Sequence, residues 1–479
     1  MKRLWKLEIR LDTTADQPIY LQIADAIIEA IQQGRLQKDD ILPSTRTLAT
    51  MLGVNRNTIV KALSVLLDEE WLVSVERKGI YIAQTLPQPK LKRRSSALVM
   101  PPSPQTQHPS PLVFDNGYPD SKIVPVKELA RAYRQIFNRN AKWQMMGYGN
   151  ALGDTRFIQH IAHMLNHQRG MHVKEDCVCI TRGGQMAIYL IAQCLLQKGD
   201  AIFVENPGYQ SAWKAFEHAG ATLIPIPVDT EGICVDTMKE KLEQHPNIKA
   251  VYLTPHHQFP TTVTLSLQRR LALIQLANQY GITVIEDDYD NEFHYTYRPV
   301  LPLCSYIELE QYVYIGTLSK VVAPALRVGF LVTSHHSLIE KITQLRKIID
   351  IQGDRIMEQA VLQLIEDGLI KKHIKKATSL YKEKRDFTAQ LIQRYLADQV
   401  SFTLPDGGLA FWIKPNQPID YTLLIQHLAA KGVQLIHPAD YYLPPSHANG
   451  LRLSFGTLTM DELEKGVRLL GESLTALMR

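Results

Sequence analysis

The chain is poor in the features that would assign it quickly. Its 479 residues hold five cysteines (177, 179, 194, 234, 304), an odd number with no repeated CxxC. That excludes a disulfide framework and argues against a structural zinc site. No apolar run approaches the ~18 residues of a membrane span. The N-terminus MKRLWKLEIRLD interleaves charge with apolar residues and lacks the apolar core of a signal peptide. A cytoplasmic protein is the expectation, with no membrane partner. Neither GxxxxGK[ST] nor GxGxxG occurs, so the common nucleotide loops are missing. A strong charge of one sign is absent too: the net charge is +5, too mild to name a partner. Apolar residues at 45% and charged residues at 21% exclude disorder and leave an ordinary globular composition.

At ~150 residues per domain this length has room for about three domains. The chain itself divides once. Residues 84–111, QTLPQPKLKRRSSALVMPPSPQTQHPSP, are rich in Pro, Ser and Gln and contain no acid. Proline fixes φ and removes a donor, so this stretch reads as a semi-rigid basic linker. It separates residues 1–83 from residues 112–479.

The first segment is neutral, with 11 cations and 11 acids, but its charge is uneven: Ser44 to Leu67 carries Arg46, Arg56 and Lys61 and no acid. Helical apolar spacing runs over Tyr20–Gln33 and stops at Gly34. Ser44 is placed to cap a second helix, Gly53 to permit a sharp turn, and Asn55 to cap a third. In the third helix Ile59, Leu63 and Leu66 form the buried stripe, while Asn57, Lys61 and Ser64 point the other way. Trp71–Ser74, a turn at Arg77-Lys78-Gly79, and Ile80–Ala83 read as a hairpin. This order fits a helix-turn-helix with a wing, whose last helix enters the major groove by its N-terminal end.

Pro18–Ala83, with PIYLQIADAI and ILPSTRTLATMLGVNRNTIVKAL, resembles the winged helix-turn-helix of the GntR superfamily of bacterial regulators. The resemblance implies operator-DNA contacts from Ser44, Thr45, Arg46, Arg56, Asn57, Thr58 and Lys61, with Lys78 and Gly79 at the wing. The wing reads RKGIYIA where the family is close to GxGTxV.

Beyond the linker, apolar runs alternate with helical patterns: DAIFVE, KAVYLTP, ITVIEDD and YVYIG. Continuous apolar strands between helices indicate an α/β domain with a parallel sheet buried on both faces, its chemistry at the carboxyl ends of the strands. Polar signatures stand at those ends: ENPGY after the first run, PHHQ after the second, DDY after the third and TLSK after the fourth. A pyridoxal phosphate site needs a lysine, a carboxylate for the ring nitrogen, a tyrosine for the phenolic oxygen, and helix-start N–H groups, hydroxyls and an arginine for the phosphate. The chain has each, in a sensible order. Singly these signals are weak; as an ordered set they are strong.

From Asp115 onward the set resembles fold-type I aminotransferases, carried most closely by GTLSKVVAPALRVGF. The resemblance implies pyridoxal 5′-phosphate (PLP) joined to Lys320 as a Schiff base. Asp287 is then expected at the ring nitrogen, Tyr289 at the phenolic oxygen, and Tyr209 on the ring face. Gly183, Gly184, Gln185, Thr317, Ser319 and Arg327 are expected at the phosphate. Tyr148 is expected to reach a neighbouring subunit's phosphate, and Arg452 to grip an effector carboxylate. Aminotransferases carry NPxNPTG in one loop; here it reads TPHHQFPTT, with His257-Gln258 taken to stand where the asparagine stands and His257 counted at the cofactor.

That departure and the fused N-terminal module together resemble the MocR subfamily of GntR regulators, through TPHHQFPTT, EDDYDNEF and GTLSKVVAPALRVG. The implied protein is a PLP-dependent transcription regulator that senses PLP or a PLP–amino acid adduct and controls genes of vitamin B6 or amino-acid metabolism. Its implied partners are operator DNA, a second copy in a head-to-tail, domain-swapped homodimer, and RNA polymerase. No physiological turnover is expected, at most a weak half-reaction. The alternative is an active aminotransferase with an accessory DNA-binding module. Three features are set aside. His160, His163 and His167 read as a helix face, and His256-His257 as pocket residues, so no metal is expected. The basic stretch 371–385 reads as a solvated helix face.

Overall fold

A computed structural model describes residues 9–15, 17–87, 112–138, 142–296, 300–444 and 448–478. The chain forms two compact units, Met1–Thr106 and Gln107–Arg479. The cations of the linker, Lys90, Lys92, Arg93 and Arg94, lie outside the described residues, as does the basic start of the chain.

The N-terminal unit is three helices and a hairpin. Helix α1 (Ile19–Gln32) buries Ile23, Ala24, Ile27, Ile28 and Ile31. Helix α2 (Thr45–Leu52) starts on Ser44, whose side chain accepts from the Thr47 N–H, and ends on Gly53 at φ 63°, the left-handed conformation a tight turn requires. Helix α3 (Arg56–Asp68) is capped by Asn55 and buries Ile59, Ala62, Leu63 and Leu66. Strands β1 (Leu72–Val75) and β2 (Gly79–Ile82) pair antiparallel. The hairpin lies about a residue from its expected limits. The wing is tied to the body by the Leu42 N–H on the Ile80 carbonyl and the Ile82 N–H on the Asp40 carbonyl. Gln84 still bonds to Asp39, and Leu86 still packs on this core. The first residues of the expected linker therefore belong to the winged helix.

In the large unit, β3 (Leu112–Phe114) precedes two helices, α4 (Val126–Asn138) and α5 (Thr155–Arg169). The central sheet follows: β4 (Val178–Thr181), β5 (Ala201–Asn206), β6 (Thr222–Asp229), β7 (Gly232–Ile233), β8 (Ile248–Leu253), β9 (Thr283–Asp288), β10 (Tyr312–Thr317) and β11 (Gly329–Thr333). Their order is β4-β11-β10-β9-β8-β5-β6-β7. The run from β10 to β6 is parallel, as the apolar strands predict. The expectation of a parallel sheet needs one correction: β11 runs antiparallel to both β10 and β4, and the edge strand β7 is antiparallel to β6. Strands β5 and β9 are buried at every residue, which fits a sheet covered on both faces.

Helix α6 (Gly184–Leu195) leaves β4 after a two-residue turn, and α7 (Gln210–His218) leaves β5. A second core gathers the C-terminal strands β12 (Val400–Phe402), β13 (Ala410–Pro415), β14 (Val433–Leu435) and β15 (Leu451–Ser454) with Phe114 and Tyr381. Strand β3 pairs with β14, so the start of the unit is anchored in its end.

The basic stretch 371–385 lies on the helix Leu369–Leu396, and its solvated reading fails at one end. Lys384 and Arg385 are buried, bonded to the carbonyls of Gly456 and Pro405. Among the described residues no helix is long and apolar enough to cross a membrane. None of their His, Cys, Asp and Glu side chains form a group of three or more that could hold a metal.

The two units have separate cores. Ile59 is fully buried at the centre of the N-terminal one. Ile59→Ala should therefore destabilise the winged helix by about 2–4 kcal/mol. Calorimetry should show the loss in the N-terminal transition, with the main transition of the large unit in place.

Candidate cofactor site

Four adjacent parallel strands, β5, β8, β9 and β10, end on the same edge of the sheet. Their carboxyl ends carry Tyr209, Thr254, Asp287 with Tyr289, and Thr317 with Lys320. These residues line a cavity of about 300 Å³, joined by Gly184, Gln185, Ser319 and Arg327. Segments spread over some 140 residues are thus brought to one site by the register of the sheet.

Lys320 and Asp287 are its ionisable centre. The Lys320 ammonium nitrogen donates to the Gly117 carbonyl at 3.0 Å and lies 4.4 Å above the Tyr289 ring. Burial lowers its pKa to about 8, against the pull of Asp290. Burial likewise raises Asp287 to about 7, although the Tyr252 hydroxyl and Lys320 hold it down. Neither side chain makes an ion pair among the described residues.

The other end of the cavity is built for an anion. Gly183 stands at φ 76° just before α6, and a Cβ there would come within 2.7 Å of the Arg327 guanidinium. Glycine at 183 therefore lets the arginine lie against the helix start, beside the free N–H groups of its first turn. Arg327 itself adopts φ 51° and donates to the Arg182 carbonyl. Thr317 and Ser319 bring hydroxyls to the same wall. The Gln185 side chain donates to the Ser211 carbonyl, and its oxygen has no partner. Helix N–H groups, two hydroxyls and a guanidinium suit a phosphate, an unpaired carboxylate suits a pyridinium nitrogen, and a neutral-leaning amine suits an aldehyde. The residues present fit PLP.

Several expected residues are placed differently. The Tyr289 hydroxyl donates to the His257 carbonyl at 2.9 Å. The His257 side chain does not line the cavity: its Nδ1 pairs with Asp290 at 2.8 Å. Burial works against a charge on His257, but Asp290 outweighs it and raises the pKa. Gln258 bonds to the Pro207 and Phe259 carbonyls and to Thr261, so it braces the loop. From this loop Phe259 faces the cavity. Anchored on its Pro-Thr, FPTT aligns with NPTG, which puts Phe259, not His257-Gln258, at the asparagine. Thr262 then falls on the glycine, and its φ of 65° is one that glycine adopts freely.

Arg452 is 2% exposed and lies behind Phe259, whose ring is 4.8 Å from its guanidinium. It donates to the Pro260 carbonyl at 2.5 Å and to the Asn116 carbonyl at 3.4 Å, and its Nε has no partner. Tyr148 is 84% exposed and away from the cavity. Residues that sequence reading missed are Asn116, Tyr118, Tyr252, Phe259 and Asp290. Asp290 carried a signal, as the second acid after Asp287 in EDDYDNEF. Asn116 and Tyr118 carried none, being some 200 residues from Lys320.

On the N-terminal unit, Ser44, Arg46, Arg56, Asn57, Lys61, Lys78 and Gly79 are exposed, and Thr45 and Thr58 half-buried. The Arg56 Nε donates to the Thr45 hydroxyl at 3.3 Å, joining the starts of α2 and α3.

Comparison with known proteins bears on both units. Residues 115–470 match the family described as Aminotransferase class I and II, and residues 19–82 match Bacterial regulatory proteins, gntR family. The chain is 26% identical over 486 residues to the probable rhizopine catabolism regulatory protein MocR of Rhizobium meliloti, covering 98% of this chain and 96% of that one. It is 28% identical to the uncharacterized HTH-type transcriptional regulator YdeL of Bacillus subtilis, over 96% of this chain and 97% of that one. Among solved structures, the α-aminoadipate aminotransferase LysN of Thermus thermophilus, complexed with N-(5′-phosphopyridoxyl)-L-leucine, superposes with a TM-score of 0.70. It is 26% identical and covers 77% of this chain and 93% of its own.

With its pKa near 8 instead of 10.5, Lys320 has a neutral fraction at pH 7 roughly 300-fold above that of an ordinary lysine. Uptake of PLP by the apo-protein, followed by visible absorbance, should rise with pH and be half-maximal near pH 8. Lys320→Ala should abolish the visible band.

Proposed function

The chain belongs to the class I and II aminotransferase family and carries a GntR-family regulatory domain in front, the architecture of MocR-type regulators; on that premise we propose that PLP bound in its large domain controls its binding to operator DNA. The observation that carries this reading is the coexistence, in one chain, of a GntR module and a cavity holding a lysine and a buried carboxylate that make no ion pair among the described residues. PLP, when bound, supplies an aldehyde and an electron-poor ring.

The chain's own residues do the rest. Lys320 presents its amine to the aldehyde. Asp287 keeps a negative charge beside the ring nitrogen. The N–H groups of Gly184 and Gln185, the hydroxyls of Thr317 and Ser319, and the Arg327 guanidinium hold the phosphate, and Gly183 leaves room for that arginine. Tyr209 covers the ring. Tyr289 would serve the phenolic oxygen. His257 acts through Asp290, fixing the loop that carries Phe259. Arg452 would hold the carboxylate of an amino-acid effector by a charge-assisted pair.

The regulator reading is favoured over turnover by the apolar Phe259 facing the cavity and by relatives of full length that are regulators. Ser44, Thr45, Arg46, Arg56, Asn57, Thr58 and Lys61 contact the operator, with Lys78 and Gly79 at the wing. A homodimer is supported by exposed apolar side chains on two neighbouring segments. Met146 and Tyr148 lie on one, Ile348 and Ile351 on the other, and the Gly149 N–H is bonded to Gln352. In that homodimer Tyr148 would serve the partner's cavity. The genes controlled are those of vitamin B6 or amino-acid metabolism, and the protein works in the cytoplasm.

The test is binding of the purified protein to its own upstream promoter DNA, with and without PLP, at fixed salt. PLP should change the affinity about 5–150-fold, the range of a 1–3 kcal/mol coupling. Lys320→Ala should bind DNA without responding to PLP, and Lys61→Ala should weaken binding and flatten its salt dependence. Equal affinity with and without PLP would sink the proposal.

A further inference from the structure

We propose that Tyr252 is a positioning residue for Asp287, holding its carboxylate ionised and fixed in orientation at the cavity. The proposal rests on the reading of that cavity as the PLP site.

Tyr252 lies on β8, paired with Ile285 of the neighbouring β9. Asp287 is two residues further along β9, so both side chains stand on the same face as diagonal neighbours. The phenol spans this diagonal, and its hydroxyl donates to Asp287 Oδ2 at 2.6 Å, the length expected of an O–H on a charged oxygen. It is the hydrogen bond that the Asp287 side chain accepts among the described residues. Tyr252 is 1% exposed, and its ring packs edge-on against Phe216 at 5.4 Å. Burial and the nearby carboxylate drive the phenol's own pKa well above its ordinary value, so it stays a donor at every physiological pH.

Asp287 needs such a partner. Glu205 on β5 is buried close by and is itself raised to about 7, chiefly by burial. Asp288 and Asp290 add negative charge from its own segment, and Lys320 beyond β10 is the cation that faces it. The Tyr209 phenol after β5 is also near. A carboxyl in this setting takes up a proton near neutrality, and the Tyr252 hydrogen bond favours the charged form. An ionised Asp287 is the state that can face a pyridinium nitrogen.

The test uses pyridoxamine 5′-phosphate, which has the same ring nitrogen and cannot condense with Lys320. Its dissociation constant is measured from pH 5.5 to 8.5 for the full-length protein, Tyr252→Phe and Asp287→Asn. Phenylalanine keeps the ring against Phe216, so the fold should persist. For the unaltered protein, affinity should fall as pH drops through about 7. In Tyr252→Phe the fall should move up by about one pH unit, making binding at pH 7 several-fold weaker. Asp287→Asn should bind weakly and lack this limb. Titration of the ligand's phosphate is common to all three and cancels in the comparison. A Tyr252→Phe profile with an unchanged midpoint, even in a less stable protein, would overturn the positioning role. If the unaltered protein fails to bind the probe while still folded, the cofactor reading falls, and this proposal with it.

Discussion

A parallel sheet covered on both faces can carry polar chemistry only where its strands stop. Inside β5, β8, β9 and β10 the main chain is spent on the ladder and most side chains on a hydrophobic layer. At the carboxyl ends that demand lapses, and charged residues can turn into a common cleft. The neighbouring order β10-β9-β8-β5 then decides which ends meet. Lys320, Asp287, Thr254 and Tyr209 are neighbours because their strands are, and the site follows from the sheet register.

Bringing an amine and a carboxyl into this cleft costs both of them water. The response is a pair of shifts in opposite directions, toward the neutral form of each: Lys320 to about 8 and Asp287 to about 7. The charges nearby are parcelled out among other partners. Asp290 is taken by His257, and Asp288 by Arg169 at 2.7 Å, with Tyr314 and Asn291. Arg452 is satisfied by main-chain carbonyls. What remains in the cavity is an acid and an amine with no ion-pair partner among the described residues, beside an anion cradle. Such a set is complete only with a ligand that brings a cationic ring nitrogen, a carbonyl and a phosphate.

Much of this was legible beforehand, for a physical reason. A left-handed turn at Gly53, caps at Ser44 and Asn55, and unbroken apolar strands are local demands, and local demands leave local marks. Hence the first two helices, the start of the third and the wing lay within a residue or so of their expected limits. The ordered polar signatures at strand ends were legible for the same reason. The loop after β8 was legible only through its Pro-Thr, which anchors FPTT on NPTG. Counting along TPHHQFPTT suggested that His257-Gln258 met the cofactor, whereas ion pairing with Asp290 and backbone bracing turn these two away and leave Phe259 facing in. An adjacent pair on an irregular loop has no period from which its direction can be read.

Sequence alone determined the two-part construction, the helix-turn-helix with its basic exposed face, the α/β class and the lysine, aspartate, tyrosine and arginine that resemble a PLP site. These depend on spacing, capping and composition, which are properties of short stretches. Tertiary structure decided which side chains share the cavity. It placed Gly117 on Lys320 and Asn116 near Arg452, put the Tyr252 hydroxyl on Asp287, reversed β11 within the sheet, and buried Lys384 and Arg385 of an apparently solvated strip. Those outcomes depend on contacts between residues far apart in the chain. No local pattern encodes such contacts, because each partner would have the same sequence neighbours whether or not the other were there.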